Sequence, residues 1–164
     1  MKNFLIFLLL IFVHENIYAQ SANKLKKELL SSIEQKSEEL ITISDNIWEA
    51  AEVAFREAKS SQYLIEYAKK NGFIVDSDLA GMPTAFTATF GEGSPVIGII
   101  GEFDALPGLS QTTVPYKSEL VNGGAGHGCG HNLFGTASLG AALAIKELIE
   151  NGSLTGTVKY FGTP

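Results

Sequence analysis

The chain has 164 residues, with 18 acidic against 12 basic side chains and a formal net charge of −6. No Lys/Arg cluster stands out along it, which argues against a nucleic-acid partner. One cysteine, Cys129, excludes an internal disulfide framework.

The N-terminus begins with Lys2, continues as an unbroken apolar run from Phe4 to Val13, and reaches the small residue Ala19 after a more polar stretch. That order of charge, apolar run and small residue is the layout of a secretory signal peptide. The run is short for a bilayer, which needs about 20 apolar residues. Residues 1–19 are therefore expected to be cleaved, with Gln20 as the new N-terminus and export to a periplasmic or extracellular space. Residues 20–164 are enough for one core.

Apolar residues at 25, 29, 33, 40, 43, 47 and 54 step by combinations of three and four, predicting one helix from Lys24 to about Arg56. A second helix is expected from an N-cap at Ser60 to Lys70, stopped by Asn71-Gly72. The texture then changes. Strands are expected at residues 73–75 and 84–90, with a turn at Gly91-Glu92-Gly93 and a further strand over Pro95–Phe103. The continuous apolar run of this third strand predicts burial on both faces, as in an α/β sheet. Gly108 to Gly130 is a polar loop without periodicity, and a loop of that length is more often functional than idle. A helix rich in small residues follows from Leu133 to Glu150, then a strand over Thr157–Phe161.

Chemistry concentrates at two places. Cys129 and His131 stand two apart among glycines 126, 128 and 130, and thiolate and imidazole both suit zinc and similar metals. The glycines permit the sharp turns needed for both side chains to converge on one ion. His127 is a third candidate, as ligand, as a group supporting the ligands, or as a donor in the reaction. A flexible loop with incidental histidines is the competing reading of this segment alone. Glu102 and Asp104 alternate at the end of the apolar strand, so both carboxylates face one side. Strand ends are where α/β proteins place their sites, and such carboxylates ligate a metal or orient a ligand. A Walker-type phosphate loop and a dinucleotide fingerprint are both missing from the sequence.

Taken together, Gly101-Glu102-Phe103-Asp104-Ala105-Leu106-Pro107, the Gly-His-Gly-Cys-Gly-His-Asn loop and the terminal Tyr160-Phe161-Gly162-Thr163-Pro164 resemble the M20 metallopeptidase/amidohydrolase family, and its aminobenzoyl-glutamate hydrolase branch in particular. Ile47 to Phe55 also resembles the family's N-terminal helix signature. The resemblance implies an α/β catalytic domain, a central sheet flanked by helices, of which this chain carries the N-terminal part without the lid or dimerisation domain. It implies hydrolysis of amide bonds in N-acyl amino acids or small peptides with one or two divalent ions, zinc or manganese. Homodimerisation is implied only with the lid present.

By the same resemblance Cys129 and His131 match metal ligands, and Asp104 matches the carboxylate that supports the site. Glu102 lies where some relatives carry a histidine ligand, and its role stays open. Asn132 stands where many relatives have aspartate. In the family, paired glutamates follow the Gly-Thr-Pro strand, one as general base and one as ligand. This polypeptide ends before them, so it is expected to be inactive alone. Two other readings remain: a cysteine hydrolase with Cys129 as nucleophile, and a secreted binding domain without catalysis.

Overall fold

The computed structural model describes residues 22–164. The expected signal segment, residues 1–19, lies outside them. Among the described residues no helix is long and apolar enough to cross a membrane.

Where one long N-terminal helix is expected, the chain forms two. Helix α1 covers residues 22–35, Lys36 interrupts it, and α2 spans Ser37–Ala50. The helical periodicity continues past Ala50, but the helix does not. Ala51 adopts a left-handed conformation (φ 44°, ψ 46°) and its N–H donates to the Ile47 carbonyl. Neither glycine nor proline marks this stop, which is why the apolar spacing overran it. Beyond it, Val53 forms a bridge to Ala105.

Glu52 explains the end of α2 and the start of α3, Ala58–Lys70. Its carboxylate accepts from the backbone N–H groups of Lys59 and Ser60, and from the Ser60 hydroxyl at 2.9 Å. An anion at a helix N-terminus satisfies donors that have no partner within the helix. Ser60 is thus a buried residue inside the first turn rather than the N-cap that the sequence suggests. The expected stop is present, with Asn71 as the C-cap and Gly72 at φ +84°.

The sheet contains β1 Ile74–Ser77, β2 Phe86–Glu92, β3 Val96–Glu102 and β4 Gly156–Thr163, in the order β1-β2-β4-β3. β1 and β4 run antiparallel to β2, and β3 runs parallel to β4. The expected turn at 91–93 begins later, because Gly91 and Glu92 still pair with Thr157 and Gly156. Helix α4, His131–Glu150, connects β3 to β4. It starts two residues before the expected Leu133, on Gly130 in a left-handed conformation (φ 73°). Parallel neighbours require such a crossover.

The core lies between α2, α3, α4 and one face of the sheet. Ile47, Leu64, Phe86, Phe103, Leu139, Leu143, Val158 and Tyr160 form it, each large apolar side chain contributing about 1.5–3 kcal/mol on burial. Phe86 is the aromatic hub, with ring centroids 5.6 Å from Tyr160 and 6.2 Å from Phe103. β3 departs from expectation. It occupies a sheet edge, and Val96, Ile97 and Ile100 are 62 %, 49 % and 56 % exposed. Its apolar run satisfies the requirement for double burial, but burial also needs a second covering layer. Among the described elements β4 pairs along one edge of this strand and helix α4 packs over one face.

Candidate metal centre

The C-terminal end of β3 and the N-terminal end of α4 meet because two glycines and a tyrosine let them. A Cβ at Gly135 would stand 2.7 Å from the Glu102 carbonyl oxygen, and one at Gly101 would stand 2.5 Å from the Tyr160 hydroxyl. Tyr160 is fully buried and donates to the Gly135 carbonyl at 3.1 Å. Burial pushes its pKa far above the ordinary phenol value, so the hydroxyl remains a donor. Strand and helix are thereby locked in close contact one turn from His131.

That contact assembles the site. Asp104 Oδ1 lies 2.6 Å from His131 Nδ1, and Glu102 Oε2 lies 3.0 Å from His131 Nε2. Ligand atoms of the three residues all fall within 4.8 Å of one another. Asp104 and His131 are largely buried, with side chains 14 % and 19 % exposed, whereas Glu102 is 42 % exposed. A neutral imidazole has one N–H and cannot donate to both carboxylates. With the Nδ1–H hydrogen-bonded to Asp104, Nε2 faces the Glu102 carboxylate as a lone-pair donor, and a divalent ion between Nε2 and Glu102 would satisfy both. The donor set of two carboxylates and one imidazole fits a divalent ion. A carboxylate holding the far nitrogen of a ligating histidine is the recurrent support for such a ligand.

The remaining sequence candidates fall around this core. His131 is the first residue of α4 rather than a loop residue. Cys129 is exposed and stands outside the three-residue group. His127 Nε2 lies 3.0 Å from the Ile47 carbonyl, which can only accept, so Nε2 carries the proton. Burial holds the His127 pKa below the ordinary histidine value, against the opposing pull of that carbonyl. Asn132 is buried and donates to the Ser44 hydroxyl at 3.0 Å, tying the start of α4 to α2.

Several supporting residues escaped the sequence reading. Glu57 is fully buried, accepting from Thr84 Oγ1 at 2.7 Å and from the Phe55 N–H at 3.0 Å. Glu52 and Ile47 support the site by fixing the α2–α3 junction and His127. Their partners are 7, 8, 27 or 80 positions away in sequence, and no local signal announces such pairings.

The family model for Peptidase family M20/M25/M40 matches residues 98–164, from β3 through the metal-ligand candidates to β4. Over 134 residues the chain is 41 % identical to one subunit of the p-aminobenzoyl-glutamate hydrolase of Escherichia coli (strain K12), an alignment covering 81 % of this chain and 28 % of that protein. The chain belongs to the M20 family. Among its M20 relatives it is also 27 % identical over 127 residues to the N-acetylcysteine deacetylase of Bacillus subtilis (strain 168), covering 76 % of this chain and 32 % of the relative. The fold matches the crystal structure of the Bacillus subtilis YXEP protein, described as a dinuclear metal binding peptidase from the M20 family. That match has a TM-score of 0.64 and 27 % identity, and covers 77 % of this chain and 34 % of the other. The chain thus spans about a third or less of the length of these M20 relatives. It forms part of an α/β M20 catalytic domain, with a mixed sheet flanked by helices.

Proposed function

We propose that this chain supplies part of the metal site of an exported amidohydrolase that cleaves amide bonds in N-acyl amino acids or small peptides, p-aminobenzoyl-glutamate conjugates among them. The observation that carries the reading is the pair of carboxylates bracketing the His131 ring. His131 would bind zinc or manganese, Asp104 would hold its Nδ1–H, and Glu102 stands close enough to contribute an oxygen. Cys129, two residues before His131, is proposed as a further ligand on the family resemblance. A divalent ion in such a site polarises the scissile carbonyl and lowers the pKa of a bound water.

The chain's own residues supply binding and orientation. Asp104 fixes the tautomer and the plane of the His131 ring, while the Gly135 contact fixes where that ring sits along β3. The paired glutamates that the resemblance places after the Gly162-Thr163-Pro164 strand end would supply the general base, and turnover is proposed to require them. Dimerisation is proposed only for a longer chain that carries the lid domain implied by the family resemblance.

Calorimetric titration with Zn²⁺ or Mn²⁺ tests the reading. The 164-residue chain should bind at least tenfold more tightly than a Cys129→Ala/His131→Ala double variant, and equal affinity would remove the metal site. Robust hydrolysis of N-acyl amino acids by this polypeptide alone would overturn the assignment of the base. A cysteine nucleophile would be indicated instead if such activity survived a chelator and was lost in Cys129→Ala.

A further inference from the structure

Two hydrogen bonds to the C-terminal half of α2 bracket the residues that carry Cys129 and His131. The Ile47 carbonyl accepts from His127 Nε2 at 3.0 Å, and the Ser44 hydroxyl accepts from Asn132 Nδ2 at 3.0 Å. Ser44 and Ile47 stand three positions apart, so both lie on one side of the helix. Between the two pinned residues are only Gly128, Cys129, Gly130 and His131. Ser44 is 5 % exposed, Ile47 is fully buried, and Ile43 and Ile47 anchor α2 in the core. The attachment points are therefore as fixed as the core itself.

The bracketed segment is costly to order. Glycine loses more conformational freedom on folding than any other residue, and two of the four enclosed residues are glycines, with Gly130 at φ 73°. Inside the turn, the Gly130 N–H donates to the His127 carbonyl, and the N–H groups of Leu133 and Phe134 donate to the Gly130 carbonyl. Gly130 is also the N-cap of α4 and has no side chain with which to cap it. On the α2 side, Asn132 is the side chain that fastens this first turn to the body of the protein, and its Nδ2 is directed at Ser44.

We infer that Ser44 is a positioning residue for the metal centre: its hydroxyl, acting through Asn132, holds the first turn of α4 where His131 meets Glu102 and Asp104. The Ile47 carbonyl holds the other end of the glycine turn through His127. Ser44 itself touches neither metal nor substrate. Its effect is preorganisation, because the entropy of ordering the turn is lost on folding rather than on metal binding, and the ion then binds more tightly. The inference rests on the metal-binding reading proposed above and extends it to a helix that contributes no candidate ligand.

Amide exchange of the ¹⁵N-labelled 164-residue chain is followed by NMR, and Zn²⁺ affinity is measured on the same samples. Ser44→Ala removes the acceptor. Asn132→Ala removes the donor and leaves the Ser44 hydroxyl free to turn back to its own helix. Either variant should speed exchange of the Gly130, Leu133 and Phe134 amides about tenfold relative to the amides of α3. Each should also weaken Zn²⁺ binding about three- to tenfold. The double variant should do no more than the worse single one, because both break one interaction. Where Ser44→Ala fails to fold, Asn132→Ala alone decides. Leu40→Ala is the control, since Leu40 packs over Gly140, two turns beyond Asn132. It should lower the urea midpoint while the exchange ratio and the Zn²⁺ affinity stay at wild-type values. A purely structural Ser44 would make Ser44→Ala behave like Leu40→Ala. That result, or additive effects of the two single variants, would overturn the assignment. Absence of Zn²⁺ binding by the wild type would sink the metal reading instead, and the exchange ratio would then decide alone whether Ser44 holds the His131 turn.

Discussion

Helix α4 contains a pair of glycines that separates close packing from helix propensity. In an exposed helix interior, replacing glycine by alanine gains about 1 kcal/mol. At Gly140 a new Cβ would meet Leu40 Cδ1 at 3.0 Å, the far end of a flexible side chain that can yield. Gly140→Ala should therefore be neutral or stabilise by up to about 1 kcal/mol. At Gly135 the new Cβ would meet the Glu102 carbonyl oxygen at 2.7 Å and Phe103 Cβ at 3.1 Å. The Glu102 carbonyl belongs to a strand fixed by β4 on one side, so the helix must move instead. Overpacking of this kind costs about 1–3 kcal/mol, which cancels or exceeds the propensity gain. The displacement also draws His131 away from Glu102 and Asp104. Urea midpoints and Zn²⁺ titrations on both variants supply the assay. Gly135→Ala should unfold earlier than Gly140→Ala and bind zinc more weakly than the wild type. A Gly135→Ala chain as stable as Gly140→Ala, with wild-type zinc affinity, would refute the claim that this contact positions the site.

Asp104→Asn preserves the shape of the contact at His131 Nδ1 and removes its charge. Loss of a group that orients a ligand typically weakens metal binding about 10–100-fold, which calorimetry would detect, and unchanged affinity would show that Asp104 does not hold the ligand. Thr84→Val deprives the fully buried Glu57 of its 2.7 Å donor. The expected cost is about 1.5–3 kcal/mol by urea denaturation, and a neutral result would contradict a role for that pair in fixing the α2–α3 junction. The N-terminal segment predicts an exported product starting at Gln20. Sequencing the N-terminus of the secreted or periplasmic protein checks this, and recovery of intact Met1 in a membrane fraction would indicate an anchor instead.

Strand and helix types were legible in the sequence because period-two and period-3.6 patterns follow from backbone geometry. Boundaries were less so. The α2 stop at Ala51 depends on a left-handed alanine and on Glu52 reaching forward to the first turn of α3, neither of which perturbs apolar spacing. The early start of α4 was hidden for the opposite reason, since the glycines around Cys129 resemble loop throughout while Gly130 is the residue from which the helix begins. The apolar run of β3 correctly marked a strand but overstated its cover, because periodicity reports what a strand can bury and not what lies beside it. At the site, the alternation of Glu102 and Asp104 correctly implied a shared side. Their convergence on His131 rests on the β3–α4 contact at Gly135, which joins segments about thirty residues apart and leaves no pattern in either of them.

The central claim is that the His131 ring, bracketed by Asp104 and Glu102, is a metal ligand through one nitrogen and a hydrogen-bond donor through the other. Long-range ¹H–¹⁵N spectra of the histidine rings, recorded with and without Zn²⁺ and assigned with His131→Ala, measure this directly. The account predicts that on zinc addition the His131 Nδ1 keeps its proton toward Asp104 while Nε2 takes on the shift of a metal-bound nitrogen. An unchanged His131 ring at saturating zinc, or metal coordination through Nδ1, would contradict it.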